Sequence, residues 1–157
     1  MADSEILYCA DAQLYAGKVD NQTDVGQGTR VVLQLTQSIG QSRKNVTTDN
    51  FFTNYQLATE LQQRRLCIVG AVRSNRREVP KEMLPSSDRA MYSSKFGFHE
   101  GKTLVSYVPK PRKAVMLLST QHRDNNVATD KKAKPDIIHY YNSTKSGVDV
   151  LDKVVRT

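Results

Sequence analysis

Tryptophan is missing from this chain, and cysteine occurs only twice, as Cys9 and Cys67. The two cysteines stand far apart and form no Cys-x-x-Cys pair, so neither a disulfide framework nor a zinc spacing is present. Both read as reduced thiols of an intracellular protein. No stretch approaches the roughly 20 consecutive apolar residues of a membrane helix. The N-terminus, MADSEILYCADAQ, lacks a basic segment followed by an apolar run, so no secretory leader is read there. Without one, the sequons at Asn21, Asn45 and Asn142 read as chance matches. Acidic residues are also in deficit. Sixteen Asp and Glu face 23 Lys and Arg, a net charge of +7, which favours an anionic partner such as nucleic acid, although many basic folds have none.

What is present suits one domain: 157 residues with a modest apolar fraction of 38%, enough to bury roughly 68–70% of the unfolded surface. EILYCADA (5–12) reads as a strand ending at Asp11. GQGTRVVLQLTQSIG reads as a helix with Thr29 as N-cap, a stripe of Val31, Val32, Leu35 and Ile39, and Gly40 as C-cap. Gly26 and Gly28 before it are a weak phosphate-cradle signal, an ordinary turn being the commoner reading. KNVTTDNFFTN runs extended into Asp49, and 54–65 form a second helix with Leu57, Ala58 and Leu61 on one face. LCIVGAV (66–72) is a continuous apolar run, as in a strand covered on both faces.

The order strand, helix, strand, helix, strand is an α/β pattern. From Arg73, RSNRREVPKEMLPSSDRAMYSS reads as an exposed basic excursion. TLVSYVP and KAVMLLST read as strands joined by a connector carrying Pro109 and Pro111. QHRDNNVATDKKAKP is a polar loop, DIIHYYN is short and apolar-aromatic, and a closing helix is expected from about Ser146.

Asp11, Asp49 and Asp149 each stand at the end or start of an ordered element. Nucleases that use two magnesium ions need converging carboxylates of this kind, because magnesium prefers hard oxygen ligands. Spacing alone favours the blander reading, in which such residues cap or solvate. SGVD fits a capping pattern, with Ser146 as N-cap and Asp149 at the third helical position.

The wording of the segments shifts that balance. NVTTDNFFTNYQLATEL, CIVGAVRSNRREVP, KTLVSYVPKPRKAVMLLST and YYNSTKSGVDVLDKVVRT resemble successive segments of the piggyBac transposase family, including its domesticated derivatives. LYAGKV and GQGTRVVLQL match the segments upstream of these, so the resemblance covers nearly the whole chain. It implies an α/β fold: an RNase H-like mixed sheet with flanking helices, truncated, with a strand-rich insertion over about 76–112. It further implies a DDD triad of Asp11, Asp49 and Asp149, with Asp152 as an additional metal ligand, and DNA cleavage and transfer at TTAA sites using two Mg²⁺ ions. DNA as partner, a homodimer in the full-length family and a nuclear location follow from the same resemblance. No membrane and no small-molecule substrate are expected.

Family members carry a further turn and strand between the first aspartate and the Tyr-x-Gly-Lys segment, whereas here Asp11 leads almost directly to Tyr15. The family's N-terminal dimerisation and DNA-binding region, its last core helices and its Cys-rich tail are expected to be absent. Cleavage is therefore expected to be impaired. A non-catalytic, domesticated DNA-binding or chromatin-associated protein and a relic without function are the alternatives.

Candidate phosphate contacts form two concentrations. One is Arg73, Arg76, Arg77 and Lys81, with Arg64 and Arg65 before them; the other is Lys110, Arg112 and Lys113. Tyr140 and Tyr141 read as core packing rather than base stacking, and His99, His122 and His139 as surface histidines.

Overall fold

The computed structural model describes Met1 and residues 26–145. The expected first strand with Cys9 and Asp11, and the closing helix with Asp149 and Asp152, lie outside the described residues. Within them a five-stranded mixed sheet has the order β1-β2-β5-β4-β3. β1 (Asn45–Thr48) runs parallel to β2 (Cys67–Ala71), and α2 (Tyr55–Gln63) connects them. β5 (Lys113–Ser119) pairs antiparallel with both β2 and β4 (Lys102–Lys110), and β3 (Ser94–His99) is the far edge. This is the α/β mixed sheet with flanking helices that the sequence implied.

The central strands divide their apolar residues between two faces with period two. Ile68, Met116 and Leu118 face a core built from Val32 of α1 (Gln27–Leu35) and Leu57, Ala58 and Leu61 of α2. Val69, Val105, Tyr107 and Leu117 face Ile137 and Ile138 of α3 (Asp136–Thr144). The continuous apolar run of β2 is thereby explained, since helices cover it from both sides.

Several expectations are corrected. Helix α1 begins before Thr29, at a Gly26 N-cap with φ 88°, and Thr29 is buried inside it. The helix also stops at Leu35; the Thr36 hydroxyl donates to the Val32 carbonyl (2.7 Å), and a 3-10 turn, Gln37–Ile39, follows. Gly40 therefore follows that turn at an ordinary φ of −51° and does not cap the α-helix. DIIHYYN forms α3 behind Pro135, ten residues ahead of the expected closing helix; Pro135 has no N–H to leave unsatisfied at a helix start. Tyr140 and Tyr141 are half-buried against the second core, as read from the sequence.

The excursion after Arg73 is mostly exposed, as read from the sequence, but it is anchored to the sheet. Val79 and Met83 are buried in the first core. Arg89 fastens the segment to β4, donating through Nη1 to Ser106 Oγ (2.6 Å) and the Met83 carbonyl (3.1 Å), and through Nη2 to the Ser106 carbonyl (2.8 Å). Burial lowers the Arg89 pKa from its ordinary value. β3 was not apparent in the sequence, because SKFGFH is half polar and interrupted by glycine. Its hairpin with β4 turns on Glu100 and Gly101, with φ 48° and 72°, the left-handed pair that two-residue hairpin loops require. The Tyr55 hydroxyl donates to Glu100 Oε2 (2.6 Å), and the Lys102 ammonium lies 4.4 Å from the Tyr55 ring centroid, docking the hairpin tip on α2. The same hydrogen bond lowers the Glu100 pKa and raises that of Tyr55.

His122 is not a surface histidine. It is half-buried, its ring packs edge-on against Tyr140 at 5.3 Å, and its Nδ1 lies 2.9 Å from Ser119 Oγ. Ser119 Oγ already accepts from the Gln121 and His122 amides, so its own proton goes to Nδ1 of a neutral ring. Burial pushes the His122 pKa below its ordinary 6.5, against the opposing pull of Asp124 and Asp136. Between the folded and unfolded values the unfolded chain binds more protons, so stability rises with pH. The contribution is present above about 6.5 and is lost as pH falls through the folded value. His122→Gln is expected to flatten the fall in Tm between pH 7 and pH 5, measured by thermal unfolding at matched ionic strength; an unchanged slope would assign the pH dependence elsewhere.

Candidate active-site turn

β1 ends at Thr48, and the next six residues, DNFFTN, reverse the chain into α2. The Asp49 carbonyl accepts from the Phe52 amide (3.0 Å), the Thr53 amide (3.1 Å) and the Thr53 hydroxyl (2.9 Å). Thr48 and Thr53, both buried, join their hydroxyls at 2.7 Å. This pair sits directly over Gly70 of β2, where a Cβ would collide with both hydroxyl oxygens and the Thr48 carbonyl. Asn54 then caps α2: Oδ1 accepts from the Leu57 amide (2.8 Å), and Nδ2 donates to Thr29 Oγ1 (2.9 Å), tying α1 to the same turn. Gly28 of α1 permits close approach as well, since a Cβ there would lie 3.3 Å from the Phe51 carbonyl oxygen.

The result is an exposed Asp49 carboxylate on a braced backbone. Its Oδ1 accepts from the Asn50 amide at 2.6 Å, and among the described residues its other oxygen has no partner. Such a free, hard oxygen donor fits a magnesium ligand. No group of three His, Cys, Asp or Glu side chains able to hold a metal forms among the described residues. Of the expected ligands only Asp49 is described; Asp11, Asp149 and Asp152 lie outside.

Two of the sequence-predicted basic residues meet at this turn. Arg73 Nε donates to Asn50 Oδ1 (3.3 Å) and its guanidinium lies 5.8 Å from the Phe51 ring centroid, while Arg76 Nη2 donates to the Phe51 carbonyl (3.4 Å). Arg77 and Lys81 are exposed further along the excursion. Arg64 and Arg65 separate from this set at the opposite end of β2, where Arg64 Nη1 binds the Leu33 carbonyl at the end of α1 (2.7 Å). Lys110, Arg112 and Lys113 form the exposed tip of the β4–β5 hairpin. Val72, the residue after β2, bonds to Met116, so the tip at Lys113 lies three residues past Val72, roughly 10 Å beyond it at about 3.4 Å per residue. The parallel β1 ends at the same side of the sheet. Asp49, Arg73, Arg76 and the hairpin tip thus share one edge.

On the other face, the Thr47 hydroxyl donates to Thr144 Oγ1 (2.8 Å), anchoring the end of α3 beside β1 two residues before Asp49. Sequence reading missed Thr48, Thr53, Gly70 and Asn54 as the supports of the site. Only the Asn54 cap had a local signal, an Asn ahead of an apolar-periodic segment; the contact with Gly70 joins segments about twenty residues apart.

Asp49 is thus a strand-end carboxylate on a mixed α/β sheet, beside a basic edge. The profile of the Transposase IS4 family matches residues 1–157, and the chain belongs to that family. Among solved structures it is similar to the piggyBac transposase of a synaptic complex with hairpin DNA, determined by cryo-EM, at 40% identity and a TM-score of 0.87. That match covers 98% of this chain and 32% of the other, so the chain spans about a third of the solved transposase.

Gly70→Ala is expected to displace the Thr48–Thr53 pair, costing about 1–3 kcal/mol as an overpacking substitution. For a chain of this size that lowers Tm by roughly 3–10 °C. Amide hydrogen exchange should accelerate across 49–54 more than in β4 and β5. Wild-type exchange in that turn would show that the close approach does not hold it.

Proposed function

We propose that this chain is a catalytic segment of a piggyBac-type transposase and that its substrate is DNA. The observation that carries this reading is the exposed Asp49 carboxylate at a strand end, sharing one sheet edge with Arg73, Arg76 and the Lys110–Lys113 tip. Asp49 would hold Mg²⁺ together with Asp11, Asp149 and Asp152. Bound magnesium supplies activation of the attacking oxygen and stabilisation of the leaving one. The end of α3 beside β1 supports a role for Asp149, which follows Thr144 by five residues, a reach of at most roughly 18 Å.

The basic residues act on the phosphate backbone. Lys110 and Lys113 are cross-strand partners at the hairpin end, an arrangement of like charges that is unfavourable until an anion lies between them. Arg73 and Arg76 keep the turn in position while presenting positive charge beside the carboxylate. Choice of TTAA sites, homodimer formation, a nuclear location and an insertion over about 76–112 belong to the same reading and rest on the family resemblance. So does slow cleavage, which follows from the short connection between Asp11 and Tyr15. A non-catalytic DNA-binding role is the second reading, favoured by a hairpin tip whose charge is independent of any carboxylate.

Asp49→Asn should abolish Mg²⁺-dependent nicking of DNA while leaving salt-dependent binding intact. Wild-type protein with no metal-dependent nicking would leave the binding role in its place. Replacing Lys110, Arg112 and Lys113 together by Ala should make the slope of log K against log salt shallower by up to about 2.7, at roughly 0.9 per phosphate contact. An unchanged slope would remove the tip from the DNA interface.

A further inference from the structure

Phe51 is 49% exposed, although its neighbour Phe52 packs against the first core. It stands two residues after Asp49 and is held in place from several directions. Its ring meets that of Phe52 edge-to-face at 5.0 Å, and the Arg73 guanidinium lies over it at 5.8 Å. Its carbonyl accepts from Arg76, and Gly28 packs against the same oxygen. Among the described residues the other exposed large apolar side chains differ: Phe98 stacks on Phe96 along the edge strand β3, and Met91, Val115 and Val127 are not aromatic. Phe51 alone among them combines a fixed aromatic face, a guanidinium layered on it, and an adjacent carboxylate suited to a metal.

A fixed exposed ring is a stacking surface. Every nucleobase has a π-face, so stacking on an aromatic side chain is tolerant of sequence, and an arginine beside the ring extends the stack. Bases inside a duplex are stacked between their neighbours and paired, so such a ring engages a base that is unpaired or turned out of the helix. We propose that Phe51, backed by Arg73, is a stacking platform for an unpaired base next to the phosphate addressed by Asp49. This inference rests on the transposase reading and assigns to the site a contact with the base, where the lysines and arginines contact only the backbone.

The test is a double-mutant cycle between protein and DNA, read as binding without metal. The probes are a blunt duplex, the same duplex with a short single-stranded overhang, and that overhang with an abasic first unpaired position. Wild-type protein should prefer the base-bearing overhang to the abasic one by about tenfold or more. Phe51→Ala should remove that preference while leaving blunt-duplex affinity, its salt slope and Tm close to wild type, and Phe51→Trp should restore it. Equal preference in wild type and Phe51→Ala would overturn the proposal. Wild-type binding to blunt duplex with no preference for the base would overturn it too, with the transposase reading intact. Binding to none of the three probes would overturn both.

Discussion

The close approach of Thr48 and Thr53 to Gly70 is the constraint on which the rest of the site depends. A parallel pair of strands brings β1 alongside β2, and the absence of a side chain at Gly70 lets two hydroxyls occupy the space a Cβ would fill. The hydroxyl of Thr53 reaches both Thr48 and the Asp49 carbonyl, so the chain reverses at Asp49 rather than continuing the strand. Asn54 then starts α2 in a fixed place, and its second contact, to Thr29, draws α1 onto the same turn. The carboxylate is solvent-facing while almost everything behind it is buried. That combination suits a ligand that must be preorganised and still reachable by a large polyanion.

The same edge of the sheet carries the positive charge. Arg73 leaves the end of β2 and turns back onto Asn50 and Phe51, and Arg76 joins it, so cations and carboxylate are coupled through one short stretch of backbone. The β4–β5 hairpin overshoots that edge and carries Lys110, Arg112 and Lys113 clear of the core. Membership of the Transposase IS4 family and the 0.87 TM-score to a piggyBac transposase agree with the mixed-sheet fold that carries these residues. The excursion between β2 and β3 is not loose decoration, because Val79, Met83 and the Arg89–Ser106 contacts fasten it to the sheet that bears the site.

Much of this was legible from residues alone. The apolar run of β2, the stripe of α2 and the alternating β4 carry their periodicity in short windows, and short windows are what a sequence exposes. The TTDNFF wording singled out Asp49 through family resemblance, whereas spacing favoured a capping role. Other elements were misjudged for physical reasons. β3 is half polar because it is an edge strand, and DIIHYYN is too short and too aromatic to declare itself a helix. His122 was read as a surface residue because its neighbours are polar, yet Ser119 and Tyr140 enclose it.

The sequence by itself determined the composition of the core, the basic character, the family and the identity of the candidate carboxylates, because these depend on residue type and local order. Only the tertiary structure decided which basic residues stand beside Asp49 and which, like Arg64, end helices elsewhere. It also decided that Gly70, an unremarkable residue in an apolar run, sets the geometry of the turn. The reason is that these are long-range contacts. A close approach between two strands, or between an arginine and a turn about twenty residues away, leaves no trace in the spacing of either segment.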